Sequence, residues 1–154
     1  MENNTQFNEH NKQEYPPMHT AEHLLNATMV KMFNCGRAVS AHVERKKSKC
    51  DYELPQELTQ EQILAVEEQV NRVISMCLPV TEEVITIEEA KQKFDTSRLP
   101  EGVSATIRVI NIGDYDSCPC LGSHVKNTSE IGKFKIISSG NTPSCFRIRF
   151  KLEE

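Results

Sequence analysis

The sequence predicts an α+β fold, a single domain with a mainly antiparallel sheet flanked by helices. Three observations carry that prediction. Between Thr59 and Cys77 apolar residues recur at helical period behind a capping-box pair; from Gly102 onward the period changes to two; and the strands fall in positions where neighbours pair as hairpins. With 154 residues, 38% hydrophobic and 26% charged, the chain lies within the range of one domain with a real core.

Residues 1–17 are polar, carry Asn3, Asn4 and Asn8, and close on Pro16-Pro17. They read as a tail or loosely held arm before a domain over 18–154, with regular structure excluded before residue 18. A first helix is expected from Thr20 to Phe33, burying Ala21, Leu24, Leu25, Thr28 and Met32, with Gly36 as its stop. His19 and His23 lie along the edge of that stripe. Ala38 to Val43 reads as a strand, Arg45 to Lys49 as a charged turn and Cys50 to Leu54 as the return strand, which makes a hairpin with a basic tip. The second helix opens on Thr59 and Gln62 at capping-box spacing. Ile63, Val66, Val70, Val73, Ile74 and Cys77 keep its period, and Pro79 follows its end. Val84 to Ile87 is a short strand, and Thr86 with Glu89 opens a third helix over Glu88 to Phe94. Val103, Ala105, Ile107 and Val109 then alternate with polar neighbours, as Phe146, Ile148, Phe150 and Leu152 do with Arg147, Arg149 and Lys151. Lys133 to Ser138 is a strand between them, and Asp114 to Val125 is a loop or turn held between strands.

No apolar stretch approaches the length of a membrane span, and nothing at the amino end resembles a signal peptide, so a cytoplasmic protein is expected. In that setting the six cysteines default to reduced thiols. Net charge is −4, which argues against a nonspecific coat on nucleic acid but leaves room for a local basic face. Arg45, Lys46, Lys47 and Lys49 form one basic cluster, and Lys126, Lys133, Lys135, Arg147, Arg149 and Lys151 another. On charge alone the leading reading is solvated surface, balanced by acidic residues elsewhere.

Two pairs stand apart from this pattern. His19 and His23 are four residues apart on the expected helix, where side chains share a face with Cβ atoms roughly 5–6 Å apart. Cys120 and His124 are also four apart. Each pair alone is weak, but together they supply three imidazoles and a thiolate, a ligand set that suits one zinc ion. His10 and His42 are expected to face solvent, and Cys35, Cys50, Cys77 and Cys145 to be buried small hydrophobes. Cys118 stays open as a substitute or support for Cys120. Glu22 does not fit the HExxH arrangement of metalloproteases and reads as a solvated helix-face carboxylate.

The stretches HTAEHLL at His19, CLGSHV at Cys120, Lys126-Asn-Thr-Ser-Glu-Ile-Gly-Lys-Phe-Lys135 and the closing Phe146-Arg-Ile-Arg-Phe150 resemble the editing domain of alanyl-tRNA synthetases and the freestanding AlaX proteins. The editing domain of bacterial threonyl-tRNA synthetases shares the frame. The likeness runs from Met18 to Leu152. It implies a trans-editing aminoacyl-tRNA deacylase, a hydrolase that cleaves the ester joining a wrong amino acid to the terminal adenosine of tRNA: serine or glycine in the alanyl branch, serine in the threonyl branch. It places zinc ligands and catalytic groups on His19, His23, Cys120 and His124, and a serine-recognising hydroxyl on Ser40. Thr20 and Gly122, inside the motifs, are the further substrate-binding candidates. Arg45, Lys46, Lys47, Lys126 and Arg147 are the candidates for gripping the acceptor end of tRNA.

The family's usual CGGTH is here Cys120-Leu-Gly-Ser-His124, between the alanyl form and the CRGPH of the threonyl form, which leaves the substrate open. The resemblance includes no ATP-using domain, so no charging of tRNA is expected. Four protein ligands close a tetrahedron as in structural zinc, whereas catalysis needs an open position. Two other classes therefore stand beside the deacylase: a non-catalytic zinc module that binds tRNA or a synthetase, and a thiol-redox protein using Cys118 and Cys120.

Overall fold

The computed structural model describes residues 15–94 and 106–153. His10, most of the expected tail and the Val103 and Ala105 end of one expected strand lie outside them. The order is α1 (Pro16–Phe33), β1 (Ser40–His42), β2 (Ser48–Tyr52), α2 (Gln60–Ser75), β3 (Val80–Thr86), α3 (Ile87–Lys93), β4 (Thr106–Ile112), β5 (Asp116–Pro119), a 3-10 turn (Thr128–Glu130), β6 (Lys133–Asn141) and β7 (Phe146–Glu153). The α+β class is as expected, and every strand pairing is antiparallel. The strands divide into two sheets, β1-β2-β7-β6 and β3-β4-β5.

Helix α1 begins at Pro16 rather than Thr20, because proline's fixed φ and missing N–H suit the first turn of a helix, where no intrahelical donor is needed. It ends on Asn34, whose φ of 54° makes it the left-handed cap expected of Gly36. From Met18 to Met29 nearly every residue of α1 is buried, so it is a central helix rather than an amphipathic one. Met32, expected inside, is 40% exposed beyond that buried stretch. In α2 the capping box is complete, with Thr59 Oγ1 accepting from Gln62 N–H and the Gln62 side chain accepting from Thr59 N–H. The same motif at Thr86 and Glu89 starts α3. Cys77 does not continue α2; it sits beyond the helix with φ of 54°.

Helices α1 and α2 and the inner face of the four-stranded sheet share one core, with Leu24, Leu25, Val66, Phe134, Ile148 and Phe150 among its buried members. A second, smaller cluster joins Ile85, Ala90, Ile107 and Val109 under α3. The outer edge of β6 is covered by α2: Asn71 exchanges hydrogen bonds with the backbone of Phe134, and Glu67 accepts from Ile136 N–H. Gly132 turns the chain into β6 at φ of 89°, where a Cβ would lie 2.8 Å from the Glu153 carbonyl oxygen. Among the described residues no helix is long and apolar enough to cross a membrane.

Candidate metal centre

The first turns of α1 carry His19 and His23, and the chain leaving β5 carries Cys120 and His124. The expected loop over Asp114 to Val125 therefore contains a strand, and β5 is what fixes the position of its exit. Residues near β5 reach back to α1: Tyr115 Oη lies 2.6 Å from Thr28 Oγ1, and Asp116 lies beside His23. Arg108 of β4 clamps the turn itself, donating to the carbonyls of Cys120 at 2.9 Å and Gly122 at 2.8 Å. Its other nitrogen donates to Glu82 at 3.0 Å.

These supports bring the four ligand atoms of His19, His23, Cys120 and His124 within 4.8 Å of one another. Cys120 Sγ is 3.4 Å from His19 Nε2 and 3.5 Å from His124 Nε2. A tetrahedral zinc with Zn–S of about 2.3 Å and Zn–N of about 2.0–2.1 Å has sulfur–nitrogen edges of about 3.6 Å, close to those separations. The outward nitrogen of His19 points the same way. Nδ1 of His19 faces the Ser123 carbonyl at 3.3 Å, and a carbonyl only accepts, so Nδ1 carries the proton and Nε2 offers its lone pair inward. Nδ1 of His124 is 3.0 Å from Thr20 Oγ1, which also accepts from the Val125 N–H. Nδ1 of His23 lies 3.5 Å from Asp116 Oδ2, short of hydrogen-bond alignment, and has no other partner. Partners of this kind orient imidazoles for a metal. The residues thus fit a zinc ion in donor chemistry and spacing.

The electrostatics favour a thiolate. Burial opposes ionisation of Cys120, but its contacts with the imidazoles of His124, His19 and His23 bring its thiol down to about 3. Burial also works against charge on His23, yet Asp116, Cys120 and Glu22 raise it to about 9. Asp116 is held below the usual carboxylate range against its burial by His23 and by Arg37, whose guanidinium binds it bidentately at 2.8 and 3.2 Å. Cys118 is outside the ligand set, and burial pushes its thiol up to about 11.

A cavity of about 580 Å³ opens beside the cluster, bounded by His19, His23, Cys120, Ala38, Val39 and Arg37, with the carboxylates of Glu22 and Glu53 on its wall. Glu22 is not the solvated carboxylate expected: its side chain is only 12% exposed, with Oε1 at 3.9 Å from His23 Nε2. Asn26 holds it. The Asn26 carbonyl oxygen accepts from Tyr52 O–H at 2.8 Å and Ala38 N–H at 3.0 Å, which turns its amide nitrogen toward Glu22 Oε2.

The other expected site residues are distributed differently. Thr20 is fully buried behind His124, and Gly122 N–H donates to Cys120 Sγ at 3.4 Å. Ser40 is absent from the cavity lining; its hydroxyl donates to Asp51 at 2.9 Å. Arg147 also binds Asp51, at 2.7 and 3.0 Å. Arg45 lies over the Tyr15 ring at 4.8 Å, Lys46 and Lys47 are exposed on the hairpin tip, and Lys126 is exposed beyond the metal pairs. His42 is exposed as expected, but of Cys35, Cys50, Cys77 and Cys145 only Cys50 is buried, since the others fall at element ends. Sequence reasoning missed Asp116, Arg37, Arg108 and Asn26, which act on the motif residues from other elements and have no local signature.

Residues 107–149 match the threonyl and alanyl tRNA synthetase second additional domain. The chain is 35% identical over 130 residues to the alanine-tRNA ligase of Leptospira biflexa, in an alignment taking in 80% of this chain and 14% of the ligase. It is 38% identical over 121 residues to that of Microcystis aeruginosa, with 78% and 14% covered. With that of Coxiella burnetii the figures are 36% over 132 residues, 84% and 15%. The chain thus spans about one seventh of the length of these curated relatives. By these similarities it is related to the editing domain of alanyl-tRNA synthetases.

Proposed function

We propose that this protein is a trans-acting aminoacyl-tRNA deacylase, which hydrolyses the ester of mischarged tRNA, foremost seryl- or glycyl-tRNAAla, and that it does so with a zinc ion held by His19, His23, Cys120 and His124. The observation that carries the reading is the convergence of these four ligand atoms beside a cavity, with the outward nitrogen of His19 facing a carbonyl. When bound, zinc supplies Lewis acidity toward a carbonyl and lowers the pKa of water from about 15.7 to about 7. The protein's own groups do the rest. The Ser123 carbonyl holds His19 in one tautomer, Thr20 and Asp116 stand beside the outward nitrogens of His124 and His23, and Gly122 N–H and Arg108 hold the Cys120 turn. The carboxylate of Glu22, fixed by Asn26, offers an acceptor for the substrate's α-ammonium, and Arg37 is already neutralised by Asp116. Water and ester become a free amino acid and a tRNA with a free terminal hydroxyl.

A closed set of four ligands also favours a second reading, a structural zinc module that binds tRNA without turnover. Release of serine, glycine and alanine from tRNAAla and tRNAThr by the purified protein separates them. The deacylase reading expects seryl- or glycyl-tRNAAla to be cleared well above the buffer rate while alanyl-tRNAAla persists. Release of every ester at the buffer rate overturns it, and clearance confined to seryl-tRNAThr moves the substrate to the threonyl branch.

A further inference from the structure

The four-stranded sheet sorts its side chains by strand alternation. Cys50, Tyr52, Phe134, Ile148 and Phe150 face the core, and the opposite, open face is rich in cations. Lys49 stands between His42 of β1 and Arg149 of β7 in one cross-strand row, and Lys135 stands opposite Lys151 in the next. Like charges placed directly opposite destabilise a sheet, and the chain as a whole carries −4, so this concentration is one that folding does not call for. Part of it is neutralised locally: Arg147 binds Asp51, Lys151 lies 3.7 Å from Glu153, and His42 contacts Glu44. Among the described residues Lys49, Arg149 and Lys135 have no carboxylate at ion-pair distance. A depression of about 170 Å³ lies along the first row, lined by His42, Glu44, Lys47, Ser48, Lys49 and Arg149.

We propose that this open face, centred on Lys49 and Arg149, is the docking surface for the phosphates of an RNA strand, and that it guides the strand's end to the cavity beside His19 and His23. The proposal rests on the reading of the chain as one that acts on tRNA. Spacing supports the path. Lys49 and Asp51 share one face of β2, and Glu53 follows the strand's end at Tyr52 on the cavity wall, about 13 Å or less along the chain from Lys49. Between them the row of Ser40, Asp51 and Arg147 is internally paired, so a strand crossing it meets no uncompensated anion. Free cations thus lie on the sheet face away from the cavity, and the carboxylates of Glu22 and Glu53 lie on the cavity wall, matching a ligand with phosphates along its length and an ammonium at its end.

Binding of uncharged tRNAAla transcript, followed by fluorescence anisotropy across a salt series, tests this. Lys49→Gln with Arg149→Gln removes two phosphate contacts. The slope of log affinity against log salt should shallow by about 1.4, and affinity near 0.1 M salt should fall about 25-fold. The same loss of charge on α3, Lys91→Gln with Lys93→Gln, should change affinity less than twofold, and the thermal midpoint of the sheet-face variant should equal or exceed that of the wild type. An unchanged slope and affinity in the sheet-face variant overturns the proposal, as does an equal loss in the α3 variant. The readout needs no hydrolysis: a protein that binds through this face but releases no amino acid removes the deacylase reading and leaves the docking surface standing.

Discussion

At the scale of single residues, the site depends on side chains that hold other side chains. Glu22 shows this most clearly, since its neighbour on the helix, His23, was legible from spacing while its own role depends on Asn26, Tyr52 and the Ala38 backbone meeting at one amide. A charge-assisted hydrogen bond of this kind contributes about 1.5–3 kcal/mol. Glu22→Gln should therefore lower kcat/KM for seryl-tRNAAla by about 10- to 100-fold, while N-acetylseryl-tRNAAla, which has no ammonium, is hydrolysed by variant and wild type alike. An equal loss on both substrates would assign Glu22 to the reaction itself rather than to the ammonium. His19 and His23 were readable as a pair because i, i+4 spacing on a helix is a local geometric fact, whereas Cys120 and His124 converge on them through a turn that follows β5. Asp116, Arg37 and Arg108 were not readable, because each acts across strands or on a different helix, and nothing in the local sequence marks which arginine of a strand will turn toward a loop.

At the scale of elements, capping boxes and alternation carried the prediction well. Thr59 and Thr86 start their helices where the motif placed them, and β7 alternates core and solvent as its sequence does. Misjudged boundaries have physical reasons. Pro16 opens a helix because proline suits its first turn, and Asn34 takes the left-handed cap ahead of Gly36. The split into two sheets is invisible to periodicity, since pairing partners are set by long-range contacts. The β2–β7 pair makes a pH prediction. Hydrogen bonds from Arg147, opposed by burial and assisted by Ser40, hold the Asp51 carboxyl below its ordinary range. A depressed folded-state pKa stabilises above the unfolded value, about 4, and that contribution is lost as pH falls through the folded value. Arg147→Gln should lower the thermal midpoint at neutral pH, and the gap from wild type should close as the solution is acidified below about pH 4. A gap independent of pH in thermal melts would show that Arg147 stabilises by packing alone.

For the molecule as a whole, the division of labour follows the layers. The buried helix α1 fixes two of the candidate ligands, the three-stranded sheet delivers the other two through β5, and the segments preceding β1 and following β2 complete the cavity wall. The central claim is that His19, His23, Cys120 and His124 act as one centre. Metal content and seryl-tRNAAla deacylation measured on the same preparations test it most directly. The wild type should carry about one zinc per chain, each of the four alanine variants should lose both metal and activity, and Cys118→Ala should keep both. A wild type that hydrolyses the ester with no bound metal, or a Cys118→Ala variant that loses metal as Cys120→Ala does, would contradict the account.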